Sequence, residues 1–279
     1  MREIFQNTNS LRQRLGNPFR NSGRWGIPVV FCLVFGAVSL AASSAWQRID
    51  PAKELLAGVE PQAGGIQLEL PSVTQDGSAV PITVEVTGAM NPDRFVEALY
   101  LFGDGNPSPE ILEVTFTPLA GKARISTRIR LNRTQQVVAL ARTNTGEWFT
   151  ASREVRVTVS GCITQDSGNR GAADPNPRVR VPNRFRSGEA GEVRTLVQHP
   201  METGLRRDAE ENLIPERILH RFTASLAGEP VLSARLHRAV SANPYLLFHV
   251  APPQSGELTL QWEEDTGEQV TATAAVRTN

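Results

Sequence analysis

Ala123-Arg124-Ile125-Ser126-Thr127-Arg128-Ile129-Arg130-Leu131 alternates without a break. Ile125, Thr127, Ile129 and Leu131 fall on one side of an extended chain, and Arg124, Ser126, Arg128 and Arg130 on the other. That two-residue period is the signature of a strand with one face against a core. The arginine face is read as solvated. Moving outward, the same period recurs in short runs separated by turn residues: Ile66–Val73, Val80–Thr87, Phe95–Phe102, Ile111–Thr117, Gln136–Arg142 and Glu147–Val159. In the last run Val155, Val157 and Val159 oppose Glu154, Arg156 and Thr158. So many short strands in roughly a hundred residues predict an all-β domain.

Residues 163–177, with Asp166-Ser167-Gly168-Asn169-Arg170-Gly171 and Asp174-Pro175-Asn176-Pro177, break the rhythm. Their composition cannot bury a core and reads as a flexible linker. A second alternating region follows: Val179–Phe185, Glu192–Gln198, Arg217–Leu226, Val231–Leu236, Tyr245–Val250, Glu257–Glu263 and Gln269–Val276. Asp265-Thr266-Gly267 reads as a hairpin loop with glycine in the left-handed conformation. No sequence repeat relates the two regions, and Pro51–Leu56 is the one helix candidate. The expected organisation is an N-terminal segment (1–45), a β module (55–162), the linker (163–177) and a second β module (178–279).

Cys162 closes the first module, after Ser160 and Gly161 and before Ile163. The other cysteine, Cys32, lies inside an apolar N-terminal stretch, so Cys162 is left without a partner. A small hydrophobe belongs deep in a core, but this thiol stands where a strand gives way to a polar segment. A thiolate attacks sulfur electrophiles and can hold a sulfane or sulfonate group in transit. The small residues before it let the backbone pass a narrow channel.

Asn106-Pro107-Ser108-Pro109, Ser126-Thr127-Arg128-Ile129-Arg130-Leu131 and the ending Glu154 to Cys162 resemble SoxY, the sulfur-carrier subunit of the bacterial thiosulfate-oxidation system. His199-Pro200-Met201-Glu202-Thr203-Gly204-Leu205-Arg206-Arg207-Asp208, Ile214-Pro215 and Ser241-Ala242-Asn243-Pro244 resemble its partner SoxZ. The resemblance spans roughly 60–279, in the family's order on one chain, and so describes a SoxY–SoxZ fusion. It implies two immunoglobulin-like antiparallel β-sandwiches packed on one another, a non-enzymatic carrier role, and covalent attachment of sulfur intermediates to Cys162 at the end of an arm formed by Ser160, Gly161 and Ile163. It implies cytochrome-type and hydrolase-type sulfur-oxidising enzymes as partners. Ile163 and Thr164 stand where the family has glycines, which stiffens and widens the arm. Fused carriers of this kind are also associated with quinoprotein alcohol dehydrogenases, where the arm would be a docking element. Within the decamer His199, Met201, Glu202, Arg206 and Arg207 are the candidate partner-binding residues. The alternative is a structural turn, with Met201 and Leu205 packed inward and the charges solvated.

The balance of 29 basic against 29 acidic residues points to neither nucleic acid nor an anionic membrane surface. His199, His220, His237 and His249 are too irregularly spaced for a metal site, and there is no phosphate loop or dinucleotide fingerprint, so no cofactor is expected. A Cys162–His199 hydrolytic pair would need an orienting third group, and none lies at readable spacing. Ile27 to Ala45 is apolar and preceded by Arg12, Arg14, Arg20 and Arg24. With small residues at its end it reads as an export signal cleaved after Ala45. Uncleaved, it is long enough to anchor the chain in the inner membrane with Trp46 at the interface. Both alternatives place the bulk of the chain in the periplasm.

Overall fold

The computed structural model describes residues 44–158 and 177–279. Ser160, Gly161, Cys162 and Ile163, and the apolar segment before Ser44, lie outside the described residues. After a 3-10 turn (Ala45–Arg48) and α1 (Asp50–Leu56) come β1 (Gln62–Ala63), β2 (Ile66–Glu69), β3 (Val73–Thr74), β4 (Val80–Val86), β5 (Val96–Gly103), β6 (Glu110–Phe116), β7 (Ala123–Ile129), β8 (Gln135–Thr143) and β9 (Trp148–Val157). The second module holds β10 (Arg178–Arg180), β11 (Gly191–Leu196), β12 (Leu219–Leu226), β13 (Glu229–Leu236), β14 (Tyr245–Val250), β15 (Gly256–Glu264) and β16 (Gln269–Val276).

The all-β expectation holds, with small departures where a backbone donor is missing. The run expected over Ile66–Val73 is split: β2 ends at Glu69, and Leu70-Pro71-Ser72 carry the chain to β3 in the other sheet. Proline cannot donate to a ladder. For the same reason the run expected over Val179–Phe185 ends at Arg180, before Pro182. The loop after β15 turns as expected, with Gly267 at φ +87° and its N–H donated to the Glu264 carbonyl at 2.9 Å.

Two sheets face each other, and each runs through both modules. One follows the order β1-β9-β8-β5-β6-β13-β12-β15-β16, with β3 also paired to β9; the other follows β10-β11-β14-β7-β4-β2. Pairing is antiparallel except for β1 and β3, which lie parallel to β9. The two modules pair as expected, and they do so edge to edge. β6 and β13 pair from Leu112↔Leu236 to Phe116↔Leu232, and β14 meets β7 at Leu247↔Ser126. Joining edges this way satisfies backbone groups that two separate sandwiches would leave open. One apolar core consequently runs between the sheets from Leu99, Leu112 and Phe116 to Leu232, Phe222 and Trp262.

A second, smaller core lies on the outer face of the larger sheet. There Trp46, Ile49, Ala52 and Leu56 cover Phe102, Val138, Leu140 and Trp148. Asp50 and Pro51 open α1 at positions suited to a helix start, and Ala57 in the left-handed conformation ends it. Arg48 binds Asp104 at 2.9 Å. Residues 45–56 are therefore part of the folded unit, clasped across β5 and β8.

Candidate functional site

Arg130, read from the sequence as one of a solvated row, is buried at 7 % exposure. Its guanidinium reaches into the second module and donates to the carbonyls of Met201 (2.9 Å), Arg238 (3.0 Å) and Pro200 (3.3 Å). Its own N–H donates to the Ala239 carbonyl at 2.6 Å. Burial pulls its pKa down to about 10, so it remains charged at neutral pH. Arg128 likewise donates to the Asn243 carbonyl at 3.0 Å. Alternation along β7 correctly separated the two faces. What it could not show is that loops of the second module cover the arginine face.

The decamer forms one arm of a hairpin. Glu202 and Arg217 exchange both backbone hydrogen bonds, at 2.8 and 2.9 Å, and Arg206 accepts from the Ile214 N–H at 2.9 Å. At its base His199 is 4 % exposed, with Nε2 2.6 Å from Glu264 Oε1. His199 Nδ1 accepts the Met201 N–H at 3.0 Å. That contact puts the ring proton on Nε2, so Glu264 is the acceptor. Burial holds His199 below its usual pKa, against the pull of Glu264. Burial alone would raise Glu264, but hydrogen bonds from Thr266, His199 and Arg217 outweigh it and bring its pKa down. Met201 is fully buried with φ +49°, a strained conformation for methionine. It is held by the His199 contact, by Arg130 on its carbonyl and by the Leu219 N–H on its sulfur at 3.3 Å.

Two of the candidate partner-binding residues, His199 and Met201, are therefore interior groups that shape the hairpin rather than its surface. Glu202 and Arg206 form an ion pair with a 3.0 Å Nε–Oε2 contact, and Arg207 is exposed and donates to the Glu211 carbonyl. Both nitrogens of His199 are engaged, so the ring cannot serve as a base for a thiol. Glu264 is the orienting group that a Cys–His pair would require, but it fixes this histidine in the wrong role. Among the described residues no group of histidines, cysteines and carboxylates is arranged to hold a metal.

Residues of four of the internal motifs, around Asn106, Arg130, His199 and Ser241, meet at this place. Asn106 Nδ2 donates to the Arg130 carbonyl at 3.0 Å, while Asn106 Oδ1 accepts from the Asn132 N–H and from Gln135 Nε2. Ser241 N–H binds the Arg128 carbonyl, and Ser241 Oγ binds the Ser78 carbonyl at 2.8 Å. Asn243 and His199 bind each other through Asn243 Oδ1 and the Asn243 N–H. The sequence marked these residues but gave Asn106, Arg128, Arg130, Ser241 and Asn243 no role. Their signal was polarity inside otherwise strand-like or turn-like stretches.

The described residues on either side of the Cys162 stretch are held in place by neighbouring strands and loops. On one side Val157 N–H donates to Thr134 Oγ1 at 3.0 Å, and Thr158 N–H donates to the Thr74 carbonyl. On the other, Arg178 pairs with Leu196, three positions before His199.

Two all-β modules are fused edge to edge on one chain, with Cys162 in the stretch of sequence between them. Residues 52–162 match the family model for sulfur oxidation protein SoxY, and residues 179–275 the model for sulphur oxidation protein SoxZ. The chain belongs to both families as a SoxY–SoxZ fusion. The SoxY structure from Chlorobium limicola f. thiosulfatophilum, titled a sulfur carrier protein, is 25 % identical, with TM-score 0.34, 39 % of this chain and 94 % of that one covered. A superoxide reductase (neelaredoxin) from Ignicoccus hospitalis is 18 % identical, with TM-score 0.31 and coverage of 41 % and 98 %. Red sea bream transglutaminase is 13 % identical, with TM-score 0.28 and coverage of 82 % and 33 %. No curated protein sequence matches the chain.

Proposed function

We propose that this protein is a periplasmic sulfur carrier, holding thiosulfate-derived intermediates covalently on Cys162 while sulfur-oxidising enzymes act on them. The observation that carries the reading is the pairing of SoxY and SoxZ domains on one chain, with Cys162 at the end of the first. Joining the Cys162 thiolate to the outer sulfur of thiosulfate makes an S–S bond between two nucleophiles and releases two electrons. The loading partner must therefore accept electrons, as a cytochrome-type enzyme does. Water attack on the terminal sulfonate then releases sulfate and leaves a persulfide, with no change in electron count, which suits a hydrolase-type partner. The carrier itself supplies no catalytic group. Periplasmic placement rests on the apolar Ile27–Ala45 segment; among the described residues no helix is long and apolar enough to cross a membrane.

Ile163 and Thr164 beside the thiol favour a second reading, an accessory protein docking on a periplasmic quinoprotein alcohol dehydrogenase. The test is intact-mass analysis of the full chain from thiosulfate-grown cells, with Cys162→Ser as control. A thiosulfate-derived adduct confined to Cys162 supports the carrier. A bare thiol together with a stable quinoprotein complex supports the accessory role and removes the carrier reading.

A further inference from the structure

The last strand residues before the thiol segment sit in a cradle of two loops. One comprises residues 131–135: Thr134 Oγ1 accepts the Val157 N–H at 3.0 Å. The other comprises residues 72–78: the Ser72 and Thr74 carbonyls accept the N–H groups of Arg156 and Thr158 at 2.9 and 3.0 Å. Neither loop is regular structure throughout, so each depends on side chains for its shape.

Both loops are tied to the SoxZ half at nearly one point. In the first, Asn106 Oδ1 holds the Asn132 N–H, and Gln135 Nε2 donates to Asn106 and to the Arg133 carbonyl. Asn106 in turn holds the Arg130 carbonyl. In the second, Gly77 accepts the Leu131 N–H at 2.7 Å, and Ser78 accepts from Ser241 Oγ. Arg130 joins the first loop through its carbonyl and adjoins Leu131, which holds the second, and its side chain ends on three SoxZ-half carbonyls. Among the described residues no carboxylate forms an ion pair with this buried guanidinium, and Glu202 acts on it only through space. Well-packed apolar residues would join the halves at lower desolvation cost. What a guanidinium adds is several donors in a fixed fork, and so a defined orientation.

We propose that Arg130 is a positioning residue through which the SoxZ half fixes the cradle from which the Cys162 segment departs. This rests on the carrier reading of Cys162 and adds to it a task for the SoxZ half: orienting the thiol's root in addition to pairing with SoxY. The proposal requires the links to act together, since spatial contiguity alone does not establish coupling.

The experiment uses the full chain with Arg130→Met, Arg130→Lys, Asn106→Ala and Ser241→Ala. Thr117→Val is the control, because it removes a bond to the Pro230 carbonyl at the opposite end of the seam. Two quantities are read: amide hydrogen exchange at Val157, and enzymatic loading of Cys162 with thiosulfate beside its alkylation by iodoacetamide. Arg130→Met and Asn106→Ala should each speed Val157 exchange roughly tenfold. They should lower kcat/KM for loading by roughly tenfold, through misplacement of the thiol. The alkylation rate and its pH profile should stay unchanged, because the thiol's own chemistry is untouched. Arg130→Lys should recover part of the loss, and Thr117→Val should change neither quantity. If Arg130→Met does not fold, Asn106→Ala and Ser241→Ala decide the matter from either side of the seam. Unchanged Val157 exchange in those two variants, or an equal loading loss in Thr117→Val, overturns the proposal. If the wild-type chain is not loaded at all, the carrier reading fails, while Val157 exchange still decides whether the SoxZ half holds the cradle.

Discussion

Where β6 meets β13, five consecutive residue pairs from Leu112↔Leu236 to Phe116↔Leu232 extend one sheet across the boundary. Where β7 meets β14, the boundary has one registered pair, Leu247↔Ser126, and one isolated bridge, Ile129↔Val240. Side chains do much of the rest: Arg128, Arg130 and Ser241 donate to backbone carbonyls across the gap. The first join is a backbone ladder that almost any strand-forming sequence could make. The second depends on particular residues in particular rotamers, and internal family motifs collect there. Adhesion and specificity are thus divided between the two sheets.

Breaking the ladder should have the largest effect. Ala234 lies in the middle of β13, between β6 and β12, and Ala234→Pro should cost about 3 kcal/mol or more. Chemical denaturation should show both halves lost in a single transition. A surviving first-module transition would mean that the ladder does not couple them.

Gly121 tests the motif-rich side. It sits at φ +67°, and an added Cβ would lie 2.5 Å from Ala251 Cβ and 3.0 Å from Ala190 Cβ, both in the second module. Gly121→Ala should destabilise by about 2 kcal/mol, from strain and overpacking together. Near-wild-type stability would show that this side of the seam yields easily.

Acid should loosen the motif-rich join selectively. His199 is held neutral and below its ordinary value of 6.5, and Glu264 below 4.5. In both cases the unfolded chain binds the proton first, so stability is intact above about pH 6.5 and falls as pH drops, first through His199 and then through Glu264. His249 is shifted the same way by burial and by Lys122. His199→Gln should therefore flatten, without abolishing, the slope of stability between pH 7 and pH 5. An unaltered slope would assign the acid sensitivity elsewhere.

The smallest effect is expected from cutting the chain between Gly168 and Gly171. The fragments should co-elute on size exclusion, because both joins lie outside the cut. Separation into independent halves would show that the covalent link alone holds them.

Much of this architecture was legible in the sequence because burial of one strand face writes itself as alternation. Val80, Ile82, Val84 and Val86 are all buried, and β4 falls where that pattern placed it. The covered side of β7 was not legible. Alternation reports that Arg128 and Arg130 oppose the core, but whether the opposite face meets water depends on residues seventy or more positions away, such as Pro200 and Met201. His199 illustrates the same limit. Its neighbours in sequence suggested a charged surface loop, whereas its environment is set by Glu264 and Asn243. The helix at Pro51–Leu56 was found one residue longer, at Asp50–Leu56. The sheet face it covers could be known only from the fold.

The seam has a consequence for mass action. Two separate chains joined by such edges would pair according to their concentrations, and dilution would leave each with an open sheet edge. Here the partners travel as one molecule, so their ratio is fixed at one to one by translation. The melting temperature of the fusion should not change with protein concentration, and neither half can be left unpaired by an excess of the other.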